Sequence, residues 1–129
     1  MITMLAAHAT WILIAAFGGS LLYEVYRATA KAGTSRHDSP DALARQLPLY
    51  VGAAIVIGLL FARYEFGSWI GFGFTVVVIA ISIFYYNPTI MGERRPGMID
   101  WLEDLLFTGL LFVAAALLAY DASGWTLHG

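Results

Sequence analysis

The chain has no cysteine, few charges and no catalytic signature, and each absence removes a class of function. Without cysteine there is no disulfide, no thiolate metal site and no cysteine nucleophile. Only 12% of the 129 residues are charged, whereas 60% are hydrophobic. An ordinary soluble domain is about half apolar and about a quarter charged. A chain of this composition folded in water would lack the polar surface to cover itself. Its formal net charge is only -2 and its basic residues are scattered, so no basic face exists and nucleic acid is excluded as a partner. Serine-hydrolase, zinc-hydrolase, phosphate-loop and dinucleotide fingerprints are all missing. So is the Glu-x-x-His pair of ferritin-like metal bundles. No internal repeat, heptad seam or low-complexity tract stands out.

What the chain does have is hydrophobic length. A hydrocarbon core of about 30 Å takes roughly 20 helical residues. The apolar run from Met4 to Tyr26 carries His8, Thr10 and Ser20 as its few polar members ahead of Glu24 near its end. A secretory signal starts with basic residues and stops after a short apolar core, so this run predicts a retained membrane helix. Further spans are expected at 47–63, 68–86 and 101–120. The whole of 1–129 then forms one all-α transmembrane domain of four helices with short loops.

Local signals place the connections. Ser39, Pro40 and Asp41 predict an N-cap, a first-turn proline and a first-turn acid, so a helix is expected to begin near Pro40 and enter the membrane at Leu47. Pro48 is expected to kink rather than end it. The stretch from Arg63 to Gly67 predicts a tight turn between antiparallel spans. Asn87-Pro88 is expected to end the third span, because a residue before proline avoids the helical region. Asp100 and Glu103 are spaced as a capping box, with Asp100 expected at the N-cap.

Orientation follows from the basic residues. Arg27, Lys31, Arg36 and Arg45 lie in the first connection, Arg94 and Arg95 in the third, and only Arg63 in the second. The positive-inside rule puts loops 27–46 and 92–100 in the cytoplasm and both termini outside. A prokaryotic-type plasma membrane is the expected location. Tyr23, Tyr26, Trp69, Tyr85, Tyr86, Trp101, Tyr120 and Trp125 fall near span ends, as an aromatic belt requires.

Candidate sites are sparse. His8 is the one histidine inside a span and the one weak cofactor candidate; His37 and His128 fall in a loop and a tail. A haem held by two histidines would need a second span to supply the other, and none does. No cofactor or metal is expected. Glu24, Glu103 and Asp104 gather at the predicted cytoplasmic boundary with Glu93, Asp100, Arg27, Arg94 and Arg95. Intramembrane acids are candidate ion or proton sites. Each also has a structural explanation. Glu24 and Arg27 can pair on one helix face, and Asp100, Glu103 and Asp104 suit the positive end of a helix dipole. Asp104 is the best functional candidate, because it lies deepest and shares a face with Trp101 and Thr108.

Gly67-x-x-x-Gly71 on the third span allows close backbone approach, as do Gly18 and Gly19 on the first and Gly109 on the fourth. These glycines predict tight packing, within the chain or against a partner. Membrane lipids and other membrane subunits, or copies of this chain, are the expected partners.

Three functional classes remain. A non-catalytic small subunit or assembly partner of a larger membrane complex ranks first, given short loops, absent chemistry and glycine-lined helices. A small homo-oligomeric transporter or channel ranks second, because spans two to four have few ionisable groups between their ends. A redox or enzyme subunit using His8 or the cytoplasmic-side carboxylates ranks third.

Overall fold

The computed structural model describes residues 4–94 and 97–124, with Arg94 described in its backbone only. Arg95, Trp125 and His128 fall outside these. Among the described residues every regular element is a helix. Helix α1 spans Met4–Thr29 and α2 spans Pro40–Phe61. Helix α3 spans Gly67–Ile81 and runs on as a π-helical segment, Ser82–Met91, followed by one turn, Gly92–Arg94. Helix α4 spans Met98–Ser123. All four are long and apolar enough to cross a membrane.

Two of the expected boundaries hold. Ser39 caps α2, its Oγ accepting from the Ala42 N–H at 3.0 Å, and Pro40 follows as the first helical residue. Pro48 lies inside α2, which continues past it. The hairpin turn after α2 closes with Tyr64 N–H donating to the Leu59 carbonyl and Arg63 N–H to that of Leu60. This pairing requires a left-handed residue between the two helices. Arg63 fills that place, with φ of 59°.

Two others are corrected. Asn87-Pro88 does not end the third helix, which continues to Met91 with Pro88 inside the π-helical segment. In a regular α-turn the proline ring would meet the carbonyl four residues back. The wider π-turn, bonded five residues apart, removes that collision. Asp100 is not the N-cap of the last helix. That helix begins three residues earlier than expected, and Asp100 sits at its third position with Oδ2 accepting from the Gly97 N–H at 2.8 Å. Glu103 therefore takes no part in the cap and lies a turn further in.

The core is built from small and branched residues. Ala9, Leu13, Ala16 and Phe17 repeat on one face of α1 and meet Ala53, Val56 and Leu60 of α2 and Leu111, Ala114 and Leu118 of α4. That spacing is the apolar stripe of a packed helix. Helix α1 packs chiefly on α4 and α2, and α3 on α4 and α2. The outward faces are also apolar: Trp11, Ile55, Phe84 and Leu105 are all exposed. A soluble bundle would place polar groups there, whereas lipid favours this arrangement.

Of the five packing glycines, Gly67 and Gly71 are buried between helices. A Cβ at Gly71 would stand 3.1 Å from Leu118 Cδ1 and 3.5 Å from Val56 Cγ1. Gly18, Gly19 and Gly109 face outward, and a Cβ at each would meet nothing within 4 Å. Gly71→Leu should therefore lower stability by about 1–3 kcal/mol through overpacking. Val77→Leu, on the exposed face of the same helix, should stay within about 0.5 kcal/mol of wild type. Unfolding in detergent measures both, and equal stability of the two variants would contradict this packing.

Candidate functional site: a buried polar end

The apolar stripe of α1 turns polar in its last two turns. Ser20, Tyr23, Glu24 and Arg27 are all buried and recur at the three- and four-residue spacing of one helix face. The stripe that packs the core thus carries a hydroxyl, a phenol, a carboxylate and a guanidinium into the end of the bundle.

Arg27 organises that end. Its Nε donates to Asp38 Oδ1 at 2.9 Å and its Nη2 to Asp38 Oδ2 at 2.7 Å, the two-pronged geometry suited to a carboxylate. Its Nη1 lies 3.5 Å from Asp100 Oδ1. Both partners are satisfied further. Asp38 Oδ2 accepts from the hydroxyls of Thr34, at 2.9 Å, and Ser35, at 2.7 Å. Asp100 Oδ1 accepts from the Tyr23 hydroxyl. The arginine thereby ties the end of α1, the loop before α2 and the first turn of α4 into one unit. The expected Glu24–Arg27 pair is superseded, since Arg27 turns to Asp38 and Asp100.

Beside this clamp lies a cavity of about 50 Å³, walled by all four helices. Glu24, Glu103 and Asp104 line it, with Ser20, Tyr50, Ser82 and Tyr86. Glu24 accepts from the Tyr86 hydroxyl at 2.8 Å. Asp104 Oδ1 faces the Asn87 amide, whose nitrogen donates to it at 2.8 Å and to the Ser82 carbonyl at 3.3 Å in the orientation that satisfies both acceptors. The π-helical segment makes this possible: residues five apart stack on one face, so Asn87 lies under Ser82 and points inward. One turn beyond Asp104, Thr108 Oγ1 lies 3.3 Å from Ser82 Oγ. Ser20 and Tyr50 hydroxyls meet at 2.9 Å on the other side. A polar cavity of this size is large enough to hold water.

The structure thus brings Glu24, Glu103, Asp104 and Thr108 together. His8 stands apart, exposed on α1 and roughly 24 Å along the helix from Glu24 by helical rise. No group of three or more His, Asp or Glu among the described residues is placed to hold a metal ion. Sequence reasoning missed Asn87 and Tyr86 as donors, Tyr50 as the hydrogen-bond partner of Ser20, and Asp38 as the buried partner of Arg27. Only Ser20-Tyr23-Glu24-Arg27 left a legible trace, by extending the apolar stripe.

Polar groups elsewhere are locally spent. The buried hydroxyls of Thr10 and Thr75 each donate to a carbonyl one turn back, at 2.7 Å. Ser68 donates to Asp121 at the opposite end of the bundle. Outside the spans, Glu93 joins the two loops of the polar end by bonding Arg36 and His37. The His37 and Arg36 hydrogen bonds hold its carboxyl below the usual carboxylate range. Comparison of the chain with protein-family models, curated proteins and solved structures returns no match.

The clamp has a measurable consequence. Arg27→Met leaves Asp38 and Asp100 buried without their cation and should cost about 3–5 kcal/mol. Arg45→Met, at an exposed position, should stay within about 0.5 kcal/mol of wild type. Denaturant unfolding in detergent distinguishes them, and a stable Arg27→Met protein would show the clamp to be dispensable.

Proposed function

We propose that this chain is an integral membrane protein of four spans that serves as a non-catalytic small subunit or assembly partner of a larger membrane complex. Both termini lie outside, and loops 27–46 and 92–100 face the cytoplasm of a prokaryotic-type cell. The orientation rests on the distribution of Lys and Arg.

One observation supports the assembly role above the others. Among the described residues, the ionisable groups buried in the bundle sit at one end and bond to each other or to neutral donors, and the polar side chains buried further along the core, Thr10 and Thr75, are hydroxyls bonded to their own helix. A solute-conducting protein needs polar groups along its path. Here the acids fasten helices together. The outward glycines fit the same role. Gly19 opens the α1–α4 seam into a lateral groove of about 360 Å³, walled by Ala15, Ala16, Leu106 and Leu110. Close approach of a partner helix favours such a notch.

A second reading, a small homo-oligomeric transporter or channel, draws support from Glu24, Glu103 and Asp104 meeting at one cavity. Were it correct, the acids would bind a proton or small cation in turn with the fastening role.

Two measurements test the proposal. Cysteines at exposed Ala32 and Ser123 should differ in labelling by an impermeant reagent on intact cells, with Ser123→Cys reactive and Ala32→Cys protected. The opposite pattern inverts the topology. Gentle purification of the native protein followed by mass spectrometry should recover a larger membrane subunit in fixed ratio. Recovery of the chain alone, or only as copies of itself, would favour the second reading.

A further inference from the structure

The loop end carries another groove, which meets the acidic cavity at Gln46, and we propose that it seats the phosphate-bearing headgroup of an anionic phospholipid. The groove encloses about 420 Å³ between the start of α2 and the π-helical segment. Arg36, His37 and Arg45 supply its polar wall, and Ala42, Tyr85 and Ile90 its apolar one. No carboxylate among the described residues lines it.

Its position sets the ligand class. The first two turns of α2, Pro40 to Gln46, are largely polar, and the apolar run begins at Leu47. Tyr85 lies at the matching end of the third span. The groove therefore straddles the boundary between polar and apolar surface, the level at which headgroups lie once the helices are in a bilayer. A free anion would use the cationic wall alone, whereas a lipid uses both walls at once.

Its chemistry sets the charge. The Arg45 side chain makes no ion pair or hydrogen bond among the described residues, although Asp41 is four residues before it on the same helix. Asp41 is exposed and does not line the groove. Arg36 gives Nε and Nη2 to Glu93 and keeps Nη1. His37 also bonds Glu93, so that carboxylate is already engaged by two side chains. A phosphate diester is anionic and accepts without donating, which matches one unspent guanidinium and the free edge of another. The cytoplasmic leaflet supplies such lipids, and each basic side chain near it adds to their attraction. The proposal depends on the membrane reading and is independent of the assembly role.

Native mass spectrometry of the full chain in neutral detergent tests it, with phosphatidylglycerol, phosphatidylcholine and inorganic phosphate as probes. Phosphatidylglycerol adducts should exceed phosphatidylcholine adducts by about fivefold or more. Arg45→Gln, an exposed change that leaves the fold intact, should remove most of that excess. Lys31→Gln, exposed but outside this groove, should leave it unchanged. Equal binding of the two lipids overturns the proposal, as does an equal loss in the two variants. Displacement of the lipid by millimolar inorganic phosphate would assign the groove to a free anion and overturn it too. A chain that stays monodisperse without detergent would instead remove the membrane reading itself.

Discussion

A guanidinium buried at the end of a hydrophobic bundle must be matched by carboxylates, and Arg27 imposes that requirement on everything around it. Taking an ion out of water costs several kcal/mol, recovered only by close pairing with further hydrogen bonds. Asp38 meets the demand by folding its loop over the bundle, braced by Thr34 and Ser35. Asp100 meets it from the other side while also capping α4. The connection between α1 and α2 is therefore held in place, and the last helix starts where its carboxylate can serve two purposes.

With Arg27 saturated, the other buried acids depend on neutral donors. Glu24 takes the Tyr86 hydroxyl and Asp104 the Asn87 amide. Both donors come from consecutive residues of the π-helical segment, just ahead of Pro88. An ordinary α-helix would stack Tyr86 on Ser82 and swing Asn87 away. The proline that should have ended the helix is accommodated by the wider turn, and that turn aims two donors at acids that line the cavity. Helix irregularity and buried charge are thus two sides of one arrangement.

The four helices were legible in the sequence, because apolar runs near membrane-spanning length separated by short polar stretches have few alternatives. The cap at Ser39 was legible for a local reason: its partners lie within three residues. Asp104 was singled out on its depth and on the face it shares with Trp101 and Thr108, and it does line the cavity with Glu24 and Glu103. What escaped was long-range pairing. Arg27 looked like a topogenic charge and Asp38 like a loop acid, and nothing local joins residues eleven apart across a turn. The extension through Pro88 escaped because the rule against proline assumes an α-turn. The three-residue shift at Asp100 followed from reading a local capping pattern where tertiary demand from Arg27 and Tyr23 also acts.

The central question is whether the acids at the polar end fasten helices or handle an ion. Their partners, the small cavity and the lack of buried ionisable groups among the described residues further along the core favour fastening. Flux measured on proteoliposomes containing the purified chain decides it most directly, with an imposed membrane potential and proton, sodium and potassium gradients in turn. The account predicts flux no greater than in empty liposomes, for wild type and for Asp104→Asn alike. Flux that is present in wild type and abolished by Asp104→Asn in an equally folded protein would contradict it.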